Sequence, residues 1–139
     1  MTRRIWVERL EDGSWQAQSD DGATLKFSKG EGQFSPVELM QIALAGCTAL
    51  SSQYAVEHAL GEGKGARVLV NGTYDPEEGT YLRFQEDVTV DATSAKPALN
   101  DENAKELKER MERHINKGCT VKHTLERGAQ VRVTVNVRH

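Results

Sequence analysis

"SPVELMQIALAGCTALSS", residues 35–52, decides how the rest of the chain is read. Ser35 suits an N-cap, Pro36 suits the first helical position, and Glu38 completes an S-x-x-E capping box. The pattern predicts a helix running to about Ala59 or Leu60, where "GEGKG" ends it. Leu39, Ile42, Ala43, Gly46, Cys47, Leu50 and Tyr54 recur at intervals of three and four and form its main apolar stripe. Met40, Leu44, Ala45 and Ala49 fill much of the opposite side. A helix apolar all round needs cover all round.

Working outward, "RIWVERL" and "SWQAQS" flank the turn "EDG" and predict a hairpin, with "ATLKF" as a third strand after "DDG". The Gly-rich "SKGEGQF" is a loop into the long helix. Downstream, "ARVLVNGTYD" and "TYLRFQEDVTVDA" flank "PEEG" and predict a long hairpin. "NDENAKELKERMERHINKGC" predicts a second helix capped by Asn100, with Ala104, Leu107, Met111 and Ile115 as its stripe and Gly118 as its stop. "CTVKHTLERG" predicts a short third helix opened by Cys119. In "QVRVTVNVR", Val131, Val133, Val135 and Val137 alternate with polar residues, the pattern of a strand with one buried face.

The element order is that of an α+β protein with a mostly antiparallel sheet and long helices, read as a single domain over residues 1–139. One amphipathic helix and one sheet face cannot wrap a helix that is apolar all round. A second copy of the chain is the simplest cover, so a homodimer is expected.

The chain has 139 residues, 37% hydrophobic and 28% charged, with a formal net charge of −3. That balance lacks the basic footprint of a nucleic-acid binder. The N-terminal "MTRRIWVERLEDGSW" has no apolar core of a signal peptide, and Gln41 and Thr48 interrupt the best candidate for a membrane span. A cytoplasmic protein is expected. Its two cysteines, Cys47 and Cys119, stand 72 positions apart, which excludes a local C-x-x-C motif. In a reducing compartment a transient catalytic disulfide is the chemical alternative to a permanent one.

A free cysteine is most often a small buried hydrophobe. Both of these have unusual settings, however. The small residues "ALAG" lead into Cys47 and leave room over its sulfur. Cys119 stands where a helix opens, and the exposed N–H groups there favour a thiolate. Cys119 and His123 share a helical face, but no further ligands at metal-site spacing accompany them. His58, His114 and His123 lack a legible orienting partner for Cys-His catalysis. Lys105, Glu106, Lys108, Glu109 and Arg110 form a solvated helix face.

"SPVELMQIALAGCTAL", followed by "CTVKHTLERGAQVRVTV", resembles the osmotically inducible protein C (OsmC) and organic hydroperoxide resistance (Ohr) family. In that family one cysteine sits in a Pro-led, small-residue-rich helix, and a second opens a C-P-V-S-x-x-L-like segment. Cys119, Val121 and Leu125 match the second motif, with Thr120 where proline is common. The resemblance, from about residue 30 to the end, implies an intertwined homodimer with active sites at the subunit interface. It implies reduction of organic hydroperoxides by Cys47 as peroxidatic thiol and Cys119 as resolving thiol, recycled by a dithiol reductant without cofactor or metal. In the peroxidase members an acid directly after the proline pairs with an N-terminal arginine; here that place is Val37. Glu38, Arg3, Arg4 and Arg9 are the candidate supporting residues.

The expected function is therefore a Cys-based organic hydroperoxide reductase of the oxidative stress response. Two alternatives make different predictions. A binding protein for a small hydrophobic ligand would keep its ligand after Cys47→Ser, whereas a thiol-based redox sensor would oxidise stoichiometrically and recycle slowly.

Overall fold

The computed structural model describes residues 3–139. Its elements are β1 (Ile5–Arg9), β2 (Trp15–Ser19), β3 (Thr24–Phe27), α1 (Pro36–Leu60), β4 (Arg67–Asp75), β5 (Thr80–Thr89), α2 (Asp101–Gly118) and α3 (Thr120–Arg127). The chain is mixed α+β with antiparallel strands, as its periodicities predict. Two compact units divide it, one through Ile42 and the other Ala43–His139.

In the first unit β1, β2 and β3 form an antiparallel meander in that order, with Ile5 opposite Ser19 and Trp15 opposite Phe27. The turn after β1 closes through Gly13, whose φ of 87° favours glycine. At the start of α1 the capping box forms as the sequence predicts. The Ser35 hydroxyl accepts from the Glu38 N–H at 3.2 Å, and the Glu38 carboxylate accepts from the Ser35 N–H at 2.9 Å.

The second unit holds the β4–β5 hairpin, the bulk of α1, and the helices α2 and α3. Its core joins Ala55 and Val56 of α1 to Leu107 and Met111 of α2, flanked by Leu60, Ala66, Val88, Val90 and Leu99. Burying a side chain such as Val56 or Met111 contributes about 1.5–3 kcal/mol each. Asn100 caps α2 by accepting from the Asn103 N–H at 2.7 Å, as expected from the sequence.

Two expectations are corrected. First, the buried side of α1 is Leu44, Thr48, Ser52, Ala55 and Val56, not the predicted stripe. Leu50 and Tyr54 of that stripe are 72% and 78% exposed. Small and hydroxyl side chains allow close approach: a Cβ on Gly118 would stand only 3.6 Å from the Ser51 Oγ. The serine and threonine hydroxyls are satisfied locally, as where Ser52 donates to the Thr48 carbonyl at 3.1 Å.

Second, "QVRVTVNVR" forms no strand, and Val131, Val133, Val135 and Val137 are each about four-fifths exposed. A strand exists only by its ladder, and no described strand pairs with this segment. Alternation specifies which face would be buried but supplies no partner.

Candidate functional site

The site lies in the second unit, where the middle of α1 meets the α2–α3 junction and β5. The junction is tight. The Cys119 N–H donates to the Ile115 carbonyl at 3.1 Å, ending α2, and the Cys119 carbonyl accepts the His123 N–H at 3.1 Å, opening α3. One residue thus closes one helix and caps the next. The His123 Nε2 stands 2.7 Å from the Asn116 carbonyl and ties the two helices across the turn.

Cys47 and Cys119 are both free thiols. Burial raises the Cys47 pKa, but the Val121 N–H, the Cys119 thiol, the Thr120 N–H and the Ser51 hydroxyl all favour its thiolate. Their sum leaves the Cys47 thiol below its ordinary value. Cys119 behaves oppositely. Burial pushes it up, the neighbouring Cys47 adds to the rise, and the Lys122 N–H and Thr48 hydroxyl only partly offset it. The Cys119 side is fully buried, whereas Cys47 is half-buried. The opening of α3 therefore turns two N–H groups, those of Thr120 and Val121, toward Cys47 and one, that of Lys122, toward Cys119, whose burial outweighs it, a correction to the expectation for Cys119.

Thr48, next in sequence to Cys47, is 1% exposed. Its hydroxyl donates to the Glu86 Oε2 at 3.0 Å and lies 3.9 Å from the Cys119 sulfur. The other Glu86 oxygen, Oε1, is buried without a hydrogen-bond partner among the described residues. Burial raises the Glu86 pKa, and the Thr48 hydroxyl and the charge of Lys122 only partly counter this. Sequence reasoning missed Glu86 and Thr48. The signal for Glu86 was present: it occupies the half-buried register of β5 shared with Phe84 and Val88.

The candidate supporting residues all belong to the first unit. Glu38 is held by the capping box with Ser35. Arg3 pairs with Asp21 at 2.8 Å. The Arg4 backbone N–H donates to the Asp20 carboxylate at 3.3 Å. Arg9 donates to the Gly13 carbonyl at 3.0 Å and lies over the Trp15 ring. All these partners belong to the first unit. Glu86 also lines an apolar cleft: Glu86, Val88 and Val90 face Leu107, Met111 and Ile115 across a volume of about 470 Å³. Among the described residues no cluster of three or more His, Cys, Asp or Glu is placed to hold a metal ion. No helix among them is long and apolar enough to cross a membrane.

The molecule is thus a mixed α+β protein whose long helix carries a half-buried free thiol beside a second, fully buried thiol at a helix junction. The chain belongs to the OsmC-like protein family, whose profile matches residues 28–134. It is 29% identical over 134 residues, covering 95% of each chain, to an uncharacterized protein of Mycobacterium tuberculosis. Among solved structures it resembles an OsmC-like protein from Mycoplasma pneumoniae, with a TM-score of 0.63 and 17% identity over 91% of this chain and 88% of that one. It also resembles the organic hydroperoxide resistance protein OhrB of Bacillus subtilis, with a TM-score of 0.54 and 18% identity over 89% and 90%. These structural likenesses establish the fold.

Proposed function

We propose that the protein is a thiol-dependent peroxidase that reduces organic hydroperoxides, with Cys47 as the peroxidatic and Cys119 as the resolving cysteine. The observation that carries this is the asymmetry of the two thiols at one site: the half-buried Cys47 faces the Thr120 and Val121 N–H groups at the start of α3, whereas Cys119 is fully buried beside it. The Cys47 thiolate attacks the outer oxygen of the peroxide. The O–O bond breaks, an S–O bond forms, and an alkoxide leaves to become the alcohol. Cys119 then condenses with the sulfenic acid, giving a disulfide and water, and a dithiol reductant returns both thiols. The apolar cleft lined by Glu86, which reaches the site through Thr48, supports a greasy hydroperoxide over hydrogen peroxide as the substrate.

Residues 1–139 are read as one OsmC-like domain that works as a homodimer in the cytoplasm, where dithiol reductants are maintained. Three features support the dimer: the exposed Leu50 and Tyr54 on α1, the two-stranded β4–β5 sheet, and the exposed valine segment 131–137, the last two without a further strand beside them among the described residues. The same cleft favours a second reading, a binding protein for a small hydrophobic molecule.

The test mixes reduced protein with cumene hydroperoxide or hydrogen peroxide and counts free thiols, with Cys47→Ser as control. Loss of both thiols per chain, faster with the organic peroxide and reversed by a dithiol, is expected. Persistence of both thiols in excess organic peroxide would discard the peroxidase in favour of ligand binding.

A further inference from the structure

The Thr48 hydroxyl has one hydrogen and two neighbours that compete for it. With Glu86 ionised, that hydrogen points to Oε2 at 3.0 Å, and the hydroxyl oxygen can only accept from the Cys119 S–H at 3.9 Å. Should Cys119 ionise, the hydrogen that favours its thiolate is lost to Glu86. A carboxylate with one oxygen already buried and unpartnered would then have no partner on either. The two negative charges therefore disfavour each other across Thr48, and a proton leaving Cys119 has a hydrogen-bonded acceptor beyond it.

The geometry points to Glu86 as the proton acceptor for Cys119, acting through the Thr48 hydroxyl when the second thiol attacks the oxidised first one. Glu86 reaches the sulfur only through Thr48 and is thus a positioning residue. The inference rests on the peroxidase reading, and it concerns a step which that reading leaves without a base.

The step balances. Cys119 gives its proton to the Thr48 oxygen as the Thr48 hydrogen passes to Glu86 Oε2. The Cys119 sulfur attacks the Cys47 sulfenic sulfur, forming the S–S bond and breaking the S–O bond. The Cys119 sulfur is oxidised and the Cys47 sulfur reduced. The departing hydroxide leaves as water with the proton that Glu86 returns, and the oxidising equivalents come from the organic hydroperoxide. The charged groups around Glu86 are Lys122 of α3 and, lining the same cleft, Lys108 and Glu112 of α2. Lys122 is itself paired with Glu126 at 3.0 Å.

Rapid mixing with cumene hydroperoxide, quenched with a cyclic 1,3-diketone, reads the lifetime of the Cys47 sulfenic acid. Glu86→Gln and Thr48→Val are expected to lengthen that lifetime at least about tenfold relative to its rate of formation. Thr48→Ser and Glu86→Asp should restore it. In the native protein the resolution rate should rise with pH as Glu86 ionises, an inflection that Glu86→Gln lacks. An unchanged lifetime, or one pH profile shared by native protein and Glu86→Gln, would overturn the relay.

A measurement without peroxide separates this inference from the reading beneath it. In a carboxyl-labelled native chain, the Glu86 carboxyl carbon followed by NMR should show a second step as Cys119 ionises. That step should vanish in Cys119→Ala and in Thr48→Val. A single step in every protein rejects the relay even if the peroxidase is upheld. Conversely, a native Cys47 that forms no sulfenic acid rejects the peroxidase alone.

Discussion

Cys47 and Cys119 share one hydrogen-bonding site although 72 residues separate them, and the site drives their thiols in opposite directions. Cys47 takes the Thr120 and Val121 amides at the start of α3, while the fully buried Cys119 takes only that of Lys122. The division of labour arises from which sulfur faces the helix end, since both cysteines lie within the same cluster.

This asymmetry predicts a difference in reactivity that alkylation can measure. In Cys119→Ser, iodoacetamide should modify Cys47 at neutral pH, with the rate declining only as pH falls below the ordinary thiol range. In Cys47→Ser, Cys119 should be modified more slowly at the same pH, because its thiol is raised and its sulfur is fully buried. Equal rates at neutral pH would contradict the assignment.

Glu86 should leave a signature in the pH dependence of stability. Burial raises its carboxyl above the ordinary value, so the folded chain holds this proton more tightly than the unfolded chain does. Its stabilisation is complete below the unfolded carboxylate range and is lost as pH rises through the folded value. Glu86→Gln lacks this change. In urea titrations, the stability of the native protein relative to Glu86→Gln should therefore fall between acid and neutral pH.

The cap on α2 is a local test of the fold. Asn100 accepts from the Asn103 N–H at 2.7 Å, so Asn100→Ala should cost about 1 kcal/mol by urea unfolding. Asn100→Asp should cost less, since it keeps the acceptor. Because α2 carries Leu107 and Met111 into the core, fraying at its start is expected to lower stability without altering thiol reactivity.

The homodimer makes a separate prediction. Leu50→Asp on α1 or Val133→Asp in the C-terminal segment places a charge on surface that is exposed in a single chain. Either change should shift sedimentation from dimer to monomer. If the native chain sediments as a monomer, the exposed stripe and the valine segment require another explanation.

Much of the fold could be read from local chemistry. The capping box at Ser35 and Glu38, the Asn100 cap, the stripe of α2 and the alternation in β4 and β5 each act within a few residues, so sequence spacing reports them directly. The two cysteines were legible as well, each by its setting in a helix or at a helix start. The arginines and Glu38 were legible as residues, but the side chains of Arg3, Arg9 and Glu38 are partnered within the first unit, by Asp21, Gly13 and Ser35.

What the sequence by itself determined is the set of elements and the identity of the two thiols, because caps, turns and periodicity are short-range. Only the tertiary structure decided which side of α1 is buried, which thiol receives the α3 amides, and that Glu86 reaches Thr48 from a strand 38 positions away. Those outcomes depend on packing between distant segments. A helix apolar all round has no intrinsic preferred face, and α1 settled against α2 and α3 where its small and hydroxyl side chains allow the closest approach.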